Sequence, residues 1–288
     1  ETCLAFLVTY HLLFFWKWYR NPFLLSTSEI ASTFFPHWLW VGRELRNGRF
    51  PAQDNIFYKY PASIPFLATF YPPNLLTAWL GSFLSLDKAF RLYAYSIFSH
   101  YLLCSFFSYW VFSQWCSSLV ALFGAITLSY AGYMFKPQTP AFVYSMAWVP
   151  AIFIPLLVPI AFGMSILGGY WPILVYLLPW IALVKPIEAI LGIFLALPQI
   201  LPLLGYYKKS VRHGVKPSED SKDGIVPLRS FVGLFWPSKS YSPTNGVHYP
   251  EMTFYMGVAC LFIWFSGSRF WFVLFFSLLI ALGKLPAI

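Results

Sequence analysis

The chain has 288 residues, of which 59% are hydrophobic and only 10% charged, with a formal net charge of +9. With a mean hydropathy of +0.64, it is too apolar for a soluble domain with a water-facing surface. The basic residues are spread beside apolar runs instead of forming a compact basic domain, which excludes nucleic acid and favours membrane lipid and lipid-linked phosphate as partners.

The apolar windows are continuous, not alternating, so spanning helices are expected and a β-barrel is not. The predicted fold class is all-α, a polytopic transmembrane helix bundle of about eight spans forming one domain over 1–288. Aromatic rings such as Trp16, Trp18, Tyr19, Trp110, Trp115, Trp171 and Trp180 stand at the ends of apolar runs, where they suit the headgroup level. The chain starts at Glu1 and stops at Ile288 beside apolar runs, which reads as a fragment truncated at both ends.

The first span is expected over about 2–19. It lacks a basic leading region, and Lys17-Trp18-Tyr19-Arg20 follows where a cleavage site would stand, so it is not a signal peptide. A polar loop over 20–63 comes next, expected to be extracytoplasmic and partly helical. Within it, Ser26-Thr27-Ser28-Glu29 has capping-box spacing, Pro36 restarts the helix, and Gly48 is placed to end it. Arg43, Arg46 and Arg49 gather near that end, where cations suit the helix dipole.

Tyr71-Pro72-Pro73-Asn74 breaks the apolar stretch from Ile64 to Leu84, predicting an interfacial or re-entrant turn and then a short amphipathic helix. Spans follow at about 88–113 and 117–134, then roughly three apolar segments over 141–206, divided near Gly163 to Gly169 and near Lys185-Pro186. A second polar loop covers 207–250, and two last spans cover about 252–266 and 269–286. Both long loops are basic, so the positive-inside rule leaves open whether they share a face.

Lys185 and Glu188 interrupt an apolar stretch at i,i+3 spacing, which predicts an ion pair. The pair lines a cavity that binds the phosphate of a lipid carrier, or lies near the interface and fastens a helix bend at Pro186; the residues fit both readings. His37 reads as a stacking or interfacial histidine. Cys3, Cys104, Cys116 and Cys260 read as buried thiols without metal spacing. No nucleotide loop or zinc-protease motif occurs, and no cofactor is expected, although nothing in the sequence forbids a divalent metal.

A series of short motifs runs along nearly the whole chain: Glu29 followed by Phe35-Pro36, Gly48-Arg49-Phe50-Pro51, Phe70-Tyr71-Pro72-Pro73-Asn74-Leu75-Leu76, and Ser129-Tyr130-Ala131-Gly132. It continues with Ala147-Trp148-Val149-Pro150, Leu197-Pro198-Gln199-Ile200-Leu201-Pro202-Leu203-Leu204, Ser210 with Arg212, Tyr255-Met256-Gly257, and Ala281-Leu282-Gly283. The series resembles the YfhO-like family of bacterial membrane proteins, within the GT-C class of polytopic glycosyltransferases. The resemblance implies a multi-pass enzyme of the bacterial cytoplasmic membrane. Such an enzyme moves a sugar from a polyprenyl-phosphate carrier to an extracytoplasmic glycan or polymer acceptor.

GT-C enzymes place an acidic residue in the first long loop, and the matching position here holds Glu29, where Asp is the commoner choice. Transfer from a phosphate needs a carboxylate to take the acceptor proton and cations to steady the departing phosphate. Glu29 is the candidate base, weighed evenly against a simple capping role; Asp54 is the second candidate, against a turn role in Gln53-Asp54-Asn55. Arg43, Arg46, Arg49, Lys59 and Arg91 are candidate phosphate partners. Lys208, Lys209 and Arg212 hold lipid phosphate or anchor a helix end at the headgroups. A transporter or flippase for a lipid-linked sugar is the competing reading; a noncatalytic scaffold ranks last because it leaves the first loop unexplained.

Overall fold

A computed structural model describes residues 2–27, 29–51, 53–54, 60–61, 67–130, 137–170, 174, 181 and 183–207. These residues form an all-helical architecture, apart from a two-residue antiparallel ladder of Gln53–Asp54 (β1) with Tyr60–Pro61 (β2). The second polar loop and the last two expected spans lie outside the described residues.

The first apolar run divides at Phe15 into α1 (Thr2–Phe14) and α2 (Trp16–Arg20). After a 3₁₀ turn over Pro22–Leu25, a π turn over Ile30–Phe34 leads directly into α3 (Phe35–Arg46). Pro36 has no N–H and its ring crowds the carbonyl four residues back, so the helix widens just ahead of it, and the Phe35 N–H reaches back to the Ile30 carbonyl. The helix ends as its sequence predicts. Gly48 takes φ +70°, its N–H bonds the Leu45 carbonyl, and the Arg49 N–H bonds the Glu44 carbonyl, closing a Schellman motif.

The double proline starts α4 (Pro72–Gly81), the short helix expected there, with proline in its first turn, where a missing N–H costs nothing. An elbow leads into α5 (Leu86–Ser113), a 28-residue helix that forms the spine of the fold. α6 (Ser118–Tyr130), α7 (Pro140–Trp148), α1 and α4 all pack on it. Pro150, Pro155 and Pro159 then break the chain into a 3₁₀ turn over Pro150–Phe153 and α8 (Val158–Leu167). Pro186 opens α9 (Pro186–Leu195), which is followed by α10 (Leu197–Tyr207).

Among the described residues no single helix is both long and apolar enough to cross a membrane. α5 has the length, but its hydropathy is diluted by Asp87, Lys88, Arg91, His100 and several serines. The segments Pro186–Leu195 and Leu197–Leu204 pass together but are bent by 74° at Ala196.

The core is aromatic. Trp38, Tyr71, Tyr93, Phe98, Phe142 and Tyr144 are buried along the spine, and Phe15 stacks on Phe98 at 4.7 Å between ring centres. Glycines set the helix spacing: a side chain at Gly42 would collide with the Ala78 carbonyl, and one at Gly81 with the Trp38 ring. α8 and α9 are equally close, since a Cβ at Gly163 would stand 2.9 Å from the Gly192 carbonyl oxygen.

Candidate functional site

Glu29 sits at the entrance to the helix that contains the π turn, with an exposed side chain and helical backbone angles. The expected capping box does not form. Its reciprocal bond would need the Ser26 N–H, but that group donates to the Phe23 carbonyl at 2.9 Å. The cap lies one residue further on: the Thr27 hydroxyl accepts from the Ile30 N–H at 3.4 Å, and the Thr27 carbonyl accepts from Ala31 at 2.9 Å. The Glu29 carboxylate makes no capping bond.

Among the described residues, the loop arginines do not converge on that carboxylate. At about 1.5 Å rise per residue, Arg43 and Arg46 lie roughly 20–25 Å along the same helix from Glu29, beyond what two side chains bridge. Arg46 donates to the Ser82 carbonyl at 2.9 Å and covers Phe83. Arg49 forks onto Glu44, with its Nε 2.9 Å from Oε2 and its Nη2 3.1 Å from Oε1. Arg43 is exposed. Arg91 is placed differently. It pairs with Asp87 at 3.0 Å and lies over Phe23, whose ring stacks on Phe90, so it borders the segment just ahead of Glu29. The backbone of Asp54 is in β1; its side chain, together with Lys59, Lys208, Lys209 and Arg212, lies outside the described residues.

A second polar centre had no counterpart in the sequence reading. The Trp148 indole N–H donates to the Tyr71 hydroxyl at 2.7 Å, and that hydroxyl is 2.7 Å from His100 Nε2. His100 Nδ1 is 2.6 Å from the Ser96 carbonyl oxygen, which can only accept. The proton therefore sits on Nδ1, Nε2 is an acceptor, and Tyr71 donates to it.

Tyr144 stacks on Tyr71 at 5.1 Å, yet its own hydroxyl is buried without a partner, as is the side-chain oxygen of Asn74. A half-open cavity of about 280 Å³ adjoins this cluster, lined among others by Asn74, Thr77, Tyr95, Ser96, His100 and Tyr144. Among the described residues its lining contains no Asp, Glu, Lys or Arg to offer a phosphate a counter-charge, and Glu29 is not among them. The individual motifs Phe70-Tyr71-Pro72 and Ala147-Trp148 were visible, but nothing local links them.

Lys185 and Glu188 pair at 3.4 Å as their spacing predicts, at the start of α9. Beyond the bend at Ala196, Gln199 is buried with both amide atoms unpartnered. His37 is buried, stacks near Trp40 at 5.4 Å, and has Nε2 2.8 Å from the Thr69 hydroxyl. Among the described residues no group of three His, Cys, Asp or Glu side chains is arranged to hold a metal ion. Comparison with protein-family models, curated proteins and solved structures finds no match to this chain.

Proposed function

We propose that this chain is a polytopic glycosyltransferase of GT-C type in the bacterial cytoplasmic membrane. In this reading Glu29 is the general base and the sugar comes from a polyprenyl-phosphate donor. The observation that carries the reading is the Glu29 carboxylate itself: exposed, at the mouth of a helix, and free of the capping role that its sequence position suggested. In the reaction, the carboxylate takes the proton of an acceptor hydroxyl as its oxygen attacks the anomeric carbon. The bond from that carbon to the phosphate oxygen breaks, and the electron pair leaves with the polyprenyl phosphate. Arg91 is the cation assigned to the departing phosphate, because Arg43, Arg46 and Arg49 stand at the far end of α3.

A bilayer location is supported by side chains that water would not favour. On α9, Ile187, Ile190, Leu191, Phe194 and Leu195 form an outward stripe at helical spacing, with Ile187 70% exposed, while Ala189 and Gly192 face α8. Close approach through Gly163 and Gly192 is the packing expected where helices associate in lipid.

The test is transfer of labelled sugar from polyprenyl-phosphate donors by membranes carrying the full-length protein, with Glu29→Gln alongside. Transfer lost in the variant while insertion is unchanged is the expected result. Transfer that survives the substitution removes Glu29 from the chemistry.

One observation favours the second reading, a transporter or flippase for a lipid-linked sugar. The 74° break between α9 and α10, with Gln199 buried and unpartnered just past it, has the form of a broken helix that lines a substrate path. Absence of transfer with every donor, combined with movement of labelled lipid across reconstituted vesicles, would select it.

A further inference from the structure

α4 is apolar on two faces. Ala78 and Gly81 are buried against the body of the fold, whereas Leu76, Trp79, Leu80 and Phe83 stand outward at i, i+3, i+4 and i+7, a single helical stripe carried through the turn after Gly81. The strip continues around the elbow into α5 with Leu84 and Leu86, the latter 64% exposed. Six large apolar side chains on one short segment form a patch larger than scattered surface hydrophobes account for.

Cations rim this strip. The Arg46 guanidinium lies 4.9 Å over the Phe83 ring, Arg43 is exposed one turn earlier on α3, and Lys88 is exposed in the first turn of α5. The two neighbouring acids are already engaged, Glu44 with Arg49 and Asp87 with Arg91, so the uncompensated charge of the rim is positive. An acidic protein would complement the same rim, and its presence over the strip is one of the outcomes tested below. Long basic side chains lying across aromatic rings, with the charged head outward, match a surface whose interior is apolar and whose rim is anionic.

We propose that the α4–α5 elbow is an interfacial anchor lying in the headgroup layer of an anionic bilayer. Trp79, Leu80 and Phe83 dip below the headgroups, and Arg43, Arg46 and Lys88 bind lipid phosphate. The proposal rests on the membrane part of the reading above and not on its transferase chemistry.

The test uses the full chain with its four cysteines replaced, reconstituted in phosphatidylcholine vesicles with and without phosphatidylglycerol. Single cysteines replace Phe83 or Ile190 and carry an environment-sensitive dye, read by iodide quenching from water and by spin-labelled lipid quenching from the bilayer. The expected result is lipid quenching at both sites, with quenching at Phe83→Cys rising several-fold on adding phosphatidylglycerol. That gain is reduced by Arg43→Gln, a change at an exposed position, and further by Arg46→Gln. Lipid quenching at Ile190→Cys together with iodide quenching at Phe83→Cys overturns the anchor while the membrane reading stands; iodide quenching at both sites overturns both. A Phe83 probe shielded from both quenchers means a protein covers the strip, which also overturns the proposal, as does lipid quenching indifferent to phosphatidylglycerol and to the arginines.

Discussion

Tyr71 and Tyr144 are stacked, buried tyrosines that differ in one respect, and removing each hydroxyl should separate them. Tyr71→Phe deletes the oxygen that accepts from Trp148 and donates to His100, and so leaves one buried and one half-buried polar group without partners. The buried group costs about 1–3 kcal/mol and the half-buried one less, so the change should destabilise the fold by roughly 2–4 kcal/mol out of a total near 5–15 kcal/mol. Tyr144→Phe deletes a hydroxyl with no close hydrogen-bond partner, facing only the Ser96 side chain across the cavity wall, and should change stability by less than about 1 kcal/mol. The two variants have the same change in volume and comparable burial, which removes packing as an explanation of any difference. The assay is the apparent melting temperature of the purified protein in mild detergent. At about 2–4 °C per kcal/mol, Tyr71→Phe should melt at least about 4 °C below the parent and Tyr144→Phe should not. Equal shifts for the two variants would refute the assignment of Tyr71 as the bridge.

Three further outcomes follow from local geometry. Gly42→Ala should destabilise by about 1–3 kcal/mol despite the better helix propensity of alanine, because its methyl group meets the Ala78 backbone; a melting temperature at or above the parent's contradicts that contact. Thr27→Ala should cost about 1 kcal/mol by removing the cap, whereas Ser26→Ala should change stability by less than about 0.5 kcal/mol; the reverse order in thermal melts restores Ser26 as the cap. Arg49→Ala should cost no more than about 1 kcal/mol, since its pair with Glu44 is largely exposed, and the loss should shrink further in high salt.

Features decided by one or two neighbouring residues were legible in the sequence. Gly48 ends α3 because the chain there needs a positive φ, Pro186 opens α9, and Lys185 meets Glu188 because i,i+3 spacing places them on one face. The cap at Thr27 was missed by one residue because Ser26, Thr27 and Ser28 are equally suited to the role. The 3₁₀ turn over Pro22–Leu25 holds the Ser26 N–H on the Phe23 carbonyl, which removes the reciprocal bond that a box at Ser26 needs, while the Thr27 hydroxyl meets the Ile30 N–H. The apolar window over 141–206 hid its own interruptions: hydropathy does not register that Pro150, Pro155 and Pro159 remove backbone donors. The Tyr71 centre was illegible for another reason. Its members lie 29 and 77 positions from Tyr71, and it takes the packing of both α4 and α7 on α5 to bring them together. The separation of Glu29 from Arg43 and Arg46 was, by contrast, available from helix rise alone once one continuous helix was assigned to 30–46.

The π turn over Ile30–Phe34 has a further implication for how this loop evolves. Such a turn is equivalent to one extra residue in a regular helix, and each residue advances a helix by about 100°. Deleting a single residue within 30–34 would restore an ordinary helix and leave Phe35, Trp38 and Val41 seated in the core. Because the extra residue is taken up by widening and not by added rotation, everything ahead of the turn, Glu29 and the buried Leu25 included, would keep its bearing relative to α3. The turn is thus a place where one codon can be gained or lost as a local change in helix width, with the buried residues on both sides and the carboxylate held in register.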